Sequence, residues 1–325
     1  MGIKNLNRFL KENCTKNAIR KIKLHQIKNK IVVIDASIYM YKYMAENALI
    51  ENIYLLVSIL LSNNIIPFFV FDGKPPPEKY DLICKRRDEK KIAENKHNEL
   101  LITYNNNIAI MSQNDKNKMM QELNDLKYKF VRVTQNDKNK VKRLLTAYGI
   151  MYYESLNEAD SVCAYMVKSG KAWACLSDDM DMFVYGCNRV LRNISLLNKT
   201  VILYETSNIL KELCMPEDHF KQIMVLSGTD YNIYDKNCLD NTIRWYTKYK
   251  SCIETANIPS TTTFYQWLLD NTDYISNIDT LHKICDLFNI NHIQTLPIEC
   301  TDISVCKGNQ TELHTILSQE GFVFT

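Results

Sequence analysis

The sequence predicts an α/β fold: a mostly parallel central sheet flanked by helices, followed by a mainly helical C-terminal part. Three observations predict it. Four short apolar runs, KIVVID (30–35), PFFVFD (67–72), GIMYYE (149–154) and AWACLSD (172–178), have the composition of strands buried on both faces. Helical patterns lie between them, as parallel strands require. After about residue 218 the strand pattern stops and helical periodicity takes over.

The elements follow in order. Residues 53–61 are apolar enough for a buried helix. Residues 136–147 put Val141, Leu144 and Leu145 on one face and basic side chains on the other. Residues 157–168 form a third helix, stopped by SGK at 169–171. The stretch 98–129 is polar and Asn-rich with weak helical periodicity, and reads as a flexible insertion or a pair of exposed helices. From residue 258 onward the chain reads as helical or irregular, with Pro259 and Pro297 as breaks.

Composition bounds the class. With 325 residues, 46% of them hydrophobic, the chain holds one large domain or two modest ones. No apolar run is long enough to span a membrane, and the opening lacks the apolar core of a signal peptide. The eleven cysteines have no Cys-x-x-Cys spacing and read as reduced thiols of an intracellular protein, which argues against zinc. The net charge of +3 is small, but 79–96 and 127–143 are strongly basic. Such runs are usually solvated helix faces; the acidic positions give them a second meaning.

Asp35 ends the first strand, Asp72 ends the second, and Asp179 and Asp181 follow the fourth. The third leads into a helix that opens with Glu158 and Asp160. Ligands of parallel α/β sheets bind at the carboxyl ends of the strands, so six carboxylates converge on one rim, with Asp230 in LSGTDYN a seventh candidate. A single Asp after a strand is usually a cap or turn residue. Six are another matter, because two carboxylates about 5 Å apart repel by roughly 3 kcal/mol at an effective dielectric near 20. Hard divalent cations such as Mg²⁺ resolve that repulsion with oxygen ligands. The chemistry implied is metal-assisted hydrolysis of a phosphate ester. Asp179 and Asp181 share a side if the extended backbone persists, leaving Asp178 to point elsewhere.

These motifs resemble those of the structure-specific 5′ nucleases, the flap endonuclease and xeroderma pigmentosum group G-type enzymes, and most closely the flap endonuclease branch. The resemblance rests on MGIKNLNRFL, VVIDASIYMY, VFDGKPPPEK with KRR after it, the stretch ending ESLNEAD, VKSGKAWACLSDDMDMFVYG and VLSGTDYN, in that order over about residues 1 to 235. It implies a PIN-like nuclease core with a helical arch insertion. The corresponding division is 1–97 and 131–215 for the core, 98–130 for the arch, 216–257 for a diverged helix-hairpin-helix-like duplex-binding region, and 258–325 for a C-terminal extension.

The resemblance further implies two Mg²⁺ ions, with Mn²⁺ as a substitute. Asp35, Asp72, Glu158 and Asp160 would hold one, and Asp179, Asp181 and Asp230 would complete the second, Asp160 bridging. Lys79 and Arg86 match the basic pair that contacts the scissile phosphate, joined by Asp179 and Asp181 as catalytic positions. Gly2, Tyr41, Arg87, Arg244, Lys248 and Lys250 are the other DNA-contact candidates; for Tyr41 the alternative is packing on the sheet. The implied partner is branched or flapped DNA. The expectations include a monomer with no membrane partner, in a reducing intracellular setting: the nucleus or site of DNA replication, or the cytoplasm for a viral protein. The end SQEGFVFT carries no clear sliding-clamp-binding motif.

The chain departs from the family in four places. Only 36 residues separate Asp35 from Asp72, a short interval. Asp160 stands where the family usually has Glu, which predicts weaker metal binding. Between Asp72 and Glu158 the chain is longer than in typical flap endonucleases, and the basic, Asn-rich residues 101–130 fit an arch that is disordered without DNA. The stretch YNIYDKNCLDNTIRWYTKYK has no glycines where the family has a Gly-rich, phosphate-gripping hairpin. Two alternatives stand beside the nuclease: a metal-dependent ribonuclease of the same fold, and a catalytically inactive DNA-binding scaffold.

Overall fold

Among the described residues, seven strands make one sheet: β1 (Ile19–Lys23), β2 (Ile31–Asp35), β3 (Ile66–Phe71), β4 (Tyr152–Glu154), β5 (Ala174–Leu176), β6 (Arg189–Ser195) and β7 (Thr200–Glu205). Their order is β1-β7-β6-β5-β2-β3-β4. The run from β6 to β4 is parallel, and β7 and β1 extend it antiparallel. This computed structural model describes residues 3–232, 237–255, 259, 261–290 and 303–322.

The four expected strands are β2 to β5. They sit in the middle and at one edge, where Val32, Val33, Ile34, Phe68 and Phe69 are fully buried; burial on both faces is why they read as continuous apolar runs. The three strands absent from the sequence reading have weaker patterns for identifiable reasons. β1 is an edge strand with one buried residue, Ile22. β6 is interrupted by Arg192, whose buried guanidinium donates to the Asp178 carbonyl at 2.7 Å and to Asn7 Oδ1 at 3.1 Å. β7, TVILYE, follows directly on β6 through a tight turn and has the polar ends Thr200 and Glu205.

The helices in chain order are α1 (Leu6–Asn13), α2 (Ala36–Ala45), α3 (Leu49–Ser62), α4 (Tyr80–Asn107), α5 (Gln113–Lys129), α6 (Gln135–Tyr148), α7 (Ala159–Lys168), α8 (Thr206–Glu212), α9 (Glu217–Leu226), α10 (Leu239–Glu254), α11 (Phe264–Asn271), α12 (Ile278–Leu287) and α13 (Gln310–Gln319). The chain divides into two units. One comprises Met1–Ala36, Ser58–Lys74 and Ile150–Val305 and holds the whole sheet. In it α7 packs on β2, β3 and β5, and α9 gathers α10, α11 and α12. The helical layer is glued by aromatics: Phe264 lies 5.4 Å from Tyr246 and 5.3 Å from Tyr249, ring centre to ring centre.

The other unit comprises Ser37–Val57, Pro75–Gly149 and Cys306–Thr325. Its segment 101–130, expected to be disordered without DNA, is helical. α4 runs through the expected boundary at 97/98, and α5 packs beside it with Leu123 and Leu126 buried. Ser112 caps α5 by accepting from the Asp115 N–H at 3.2 Å, and Lys96 bridges to Glu122 at 3.0 Å. The weak periodicity reflects a pair of helices with a narrow buried stripe, not absence of structure. α6 opens on a capping box, Thr134 with Asp137, and closes at Gly149 with φ +76°. The last described segment lies along it: Cys306 N–H donates to Gly149 O at 2.8 Å, and Asn309 N–H donates to Ala147 O at 2.7 Å. Arg143 pairs with Glu312 at 2.5 Å. The stretch 258–325 therefore splits, its earlier part belonging with the sheet and residues 306–322 with α6.

Candidate active site

All seven singled-out carboxylates belong to the unit that holds the sheet. Asp35 closes β2 and is 4% exposed. Pairing of Ile34 with Leu176 sets Ser177, the residue after β5, beside it. Ser177 Oγ donates to Asp35 Oδ2 at 3.2 Å and accepts from the Asp179 N–H at 3.2 Å, tying two strand ends together. The backbone then leaves the extended state. Asp179 Oδ1 accepts from the Asp181 N–H at 3.0 Å, and Asp181 opens a single 3₁₀ turn, Asp181–Phe183. The premise of a persisting strand through 179–181 is corrected here: a side-chain-closed turn takes its place. Asp179 and Asp181 are both buried, and Asp178 turns to β6, accepting from the Asn193 N–H at 2.7 Å.

The β3–β4 side is built by close backbone approach. Gly73 N–H donates to Asn157 O at 2.8 Å, and a Cβ on Gly73 would meet Ser155 O at 2.0 Å. No larger residue lets the two loops meet this closely. The result carries Asp72 to the start of α7, where its Oδ1 accepts from the Ala159 N–H at 2.7 Å and satisfies an otherwise unpaired helix-terminal donor. Glu158 is the residue before α7, and Asp160 lies in its first turn. Tyr231 Oη donates to Glu158 Oε2 at 2.5 Å, and the Tyr185 hydroxyl lies 3.1 Å from that of Tyr231. Asp230, next to Tyr231, is half-buried in the turn after α9. Asn232 locks that turn: its Oδ1 accepts from Thr229 N–H at 2.9 Å and Thr229 Oγ1 at 2.7 Å, while its Nδ2 donates to Val225 O at 2.7 Å.

Charge reports the same convergence. The Cys163 thiol is pushed up to about 11, chiefly by burial, with the nearby Asp35 and Asp160 acting in the same direction. Burial likewise raises Tyr231 and Tyr185, with Glu158 and Asp160 adding to both. The donor set is oxygen throughout and fits a hard cation by its chemistry. Among the described residues no three carboxylate, imidazole or thiol groups are gathered into a preformed cage. Asp35, Asp72 and Glu158 are each held on a hydrogen-bond donor.

Of the basic candidates, Arg244, Lys248 and Lys250 belong to the unit of the sheet. Lys79, Arg86 and Arg87 belong to the unit of α2 and α4. Lys79, in the turn before α4, is 7% exposed; Arg86 is half-buried and Arg87 exposed. Tyr41 is 40% exposed, and its ring carries the Lys90 amine 4.8 Å from its centre. Lys90, not singled out in the sequence, also donates to Val131 O at 2.9 Å. Burial lowers its pKa, and Arg132 and Arg86 lower it further. On α10, Asn241, Arg244, Trp245, Thr247 and Lys248 line a cleft of about 440 Å³, with the Lys248 amine 4.4 Å from the Trp245 ring centre. Lys250 is exposed, about 200° round the helix from Lys248. Gly2 and residues 233–236 of the hairpin stretch lie outside the described residues. Ser177, Tyr185, Tyr231 and Asn232 were missed because each acts by orienting a carboxylate or its turn; adjacency to an acidic motif was the only signal.

The XPG N-terminal domain profile matches residues 1–93, and the XPG I-region profile matches 149–230. Flap endonuclease 1 of Methanococcus aeolicus is 32% identical over 232 residues, 66% of this chain and 66% of that protein. Flap endonuclease 1 of Ostreococcus tauri is 29% identical over 250 residues, 71% of this chain and 60% of that protein. The chain thus spans about two thirds or less of these relatives' lengths. In fold it is similar to the catalytic core of Rad2 in complex with DNA substrate, with TM-score 0.67, 18% identity, and 98% and 95% of the two chains covered. Human GEN1 in complex with Holliday junction DNA gives TM-score 0.62, 16% identity, and 98% and 73% coverage.

Proposed function

The chain belongs to the XPG and flap endonuclease family of nucleases, and from that premise we propose that it is a structure-specific 5′ nuclease. It hydrolyses DNA phosphodiesters near single-strand/duplex junctions and depends on Mg²⁺, or Mn²⁺ in its place. What supports this reading is that Ser177 ties Asp35 to Asp179 and that Asp72 reaches the start of α7 beside Glu158 and Asp160, all within the unit of the sheet.

Asp35, Asp72, Glu158, Asp160, Asp179, Asp181 and Asp230 are the residues that would hold two ions. Bound divalent cations supply Lewis-acid stabilisation of phosphoryl oxygens and a more acidic water. The protein's own contribution is positional. Ser177 fixes Asp35 relative to Asp179, the Asp181 turn fixes the next carboxylate, and the Gly73 contact brings Asp72 to Glu158. Lys79 and Arg86 are assigned to the scissile phosphate, as point charge and bidentate fork. Arg87, Arg244 and Lys248 are assigned to backbone phosphates, with Tyr41 a stacking surface that must first release Lys90. Lys250 and Gly2 remain assigned to DNA by resemblance alone.

The test is cleavage of a 5′-flapped duplex, a single-stranded RNA of the same sequence and a blunt duplex, with Mg²⁺ or EDTA, by wild type and Asp179→Ala. Mg²⁺-dependent cutting at the flap junction, lost in the variant, is expected. Cutting of RNA alone would replace this reading with a ribonuclease, and tight DNA binding without cleavage would replace it with a scaffold.

A further inference from the structure

We infer that Tyr231, backed by Tyr185, is a positioning residue that sets the orientation of the Glu158 carboxylate for metal binding. This rests on the metal-dependent reading of the same rim. Tyr231 Oη donates to Glu158 Oε2 at 2.5 Å. Having given its proton there, the Tyr231 oxygen accepts from Tyr185 Oη at 3.1 Å, so the two phenols form a directed relay ending on one carboxylate oxygen. Each hydrogen bond in such a chain polarises the next. The phenol thereby fixes the position of Oε2.

The relay is built rigidly. Phe288 packs edge-on against both rings, 4.8 Å from Tyr185 and 5.1 Å from Tyr231 between ring centres. Tyr185 and Phe288 are almost fully buried. Tyr231 stands in the turn that Asn232 locks through Thr229 and Val225, and its own N–H donates to Thr229 Oγ1 at 3.3 Å. Asp230 immediately precedes it, so one turn supplies a carboxylate to the rim and orients a second from α7. Groups that orient a metal ligand in this way change metal affinity by about 10- to 100-fold when removed.

The experiment is Mn²⁺ binding, followed by the electron paramagnetic resonance of the free ion, to wild type, Tyr231→Phe and Tyr185→Phe. Thermal unfolding without metal is measured on the same samples. The expected result is a Kd for Mn²⁺ raised about 10-fold in Tyr231→Phe. In Tyr185→Phe, which leaves the bond to Glu158 in place, the rise is smaller but measurable. Both variants melt cooperatively. Unchanged Mn²⁺ affinity in a folded Tyr231→Phe would overturn the inference and leave the phenol a packing residue. If Tyr231→Phe does not fold, the Tyr185→Phe affinity decides: a rise supports the relay, and wild-type affinity overturns it. Absence of Mn²⁺ binding by wild type would overturn the metal reading beneath it, a distinguishable failure.

Discussion

Asp178 and Asp179 are chain neighbours with opposite work. Asp178 takes the Asn193 N–H on β6, while Asp179 is buried beside Ser177, which also holds Asp35. Asp178→Ala should cost about 1 kcal/mol of stability, the net worth of a hydrogen bond, and leave flap cleavage unchanged. Asp179→Asn should abolish cleavage with little change in melting temperature, read by parallel nuclease and unfolding assays. At Asp160, where the family usually has Glu, Asp160→Glu should lower the Mg²⁺ concentration for half-maximal cleavage; an unchanged or higher value would refute the assignment. The acidic residues were legible because a run of apolar residues ending in Asp is visible in one dimension. Tyr231 and Ser177 were not, because their effect is a hydrogen bond made across 73 and 142 positions of the chain.

At the scale of elements, strands buried on both faces declared themselves and half-exposed ones did not. β2 and β3 are unbroken apolar runs, whereas β1 offers one buried side chain and β6 hides a buried arginine. Caps explain the helices better than periodicity does. Thr134→Ala removes the capping box of α6 and should cost about 1 kcal/mol, measured by denaturant unfolding. Gly149→Ala should cost more, since φ there is +76° and a Cβ would meet Cys306 O at 2.2 Å. The contact of α9 with α10 carries a pH dependence. His219 on α9 bonds the Tyr246 hydroxyl at 3.0 Å, and burial lowers its pKa, partly opposed by Asp218. Folded His219 thus holds its proton less tightly than the unfolded chain does. Stability rises with pH from the lowered folded value up to about 6.5 and is flat above. Melting temperatures between pH 5 and 8 should show that slope, and His219→Gln should remove it.

Across the whole molecule, a net charge of +3 conceals an uneven distribution: carboxylates gather in the unit of the sheet, and the basic run of α4 belongs to the other. DNA affinity should therefore fall steeply with salt, because it depends on local phosphate contacts rather than on net charge. The order of motifs made the nuclease core legible. The fate of residues 306–322 was not, because the segment leading into α13 joins the end of α6 through backbone bonds from Cys306 to Gly149 and from Asn309 to Ala147, made across more than 150 positions of the chain. The carboxylate rim is expected to take divalent cations through oxygen alone. Anomalous diffraction from crystals soaked in Mn²⁺ tests it most directly. Two peaks bounded by Asp35, Asp72, Glu158, Asp160, Asp179, Asp181 and Asp230 are predicted. An empty rim, with manganese bound elsewhere or nowhere, would contradict it.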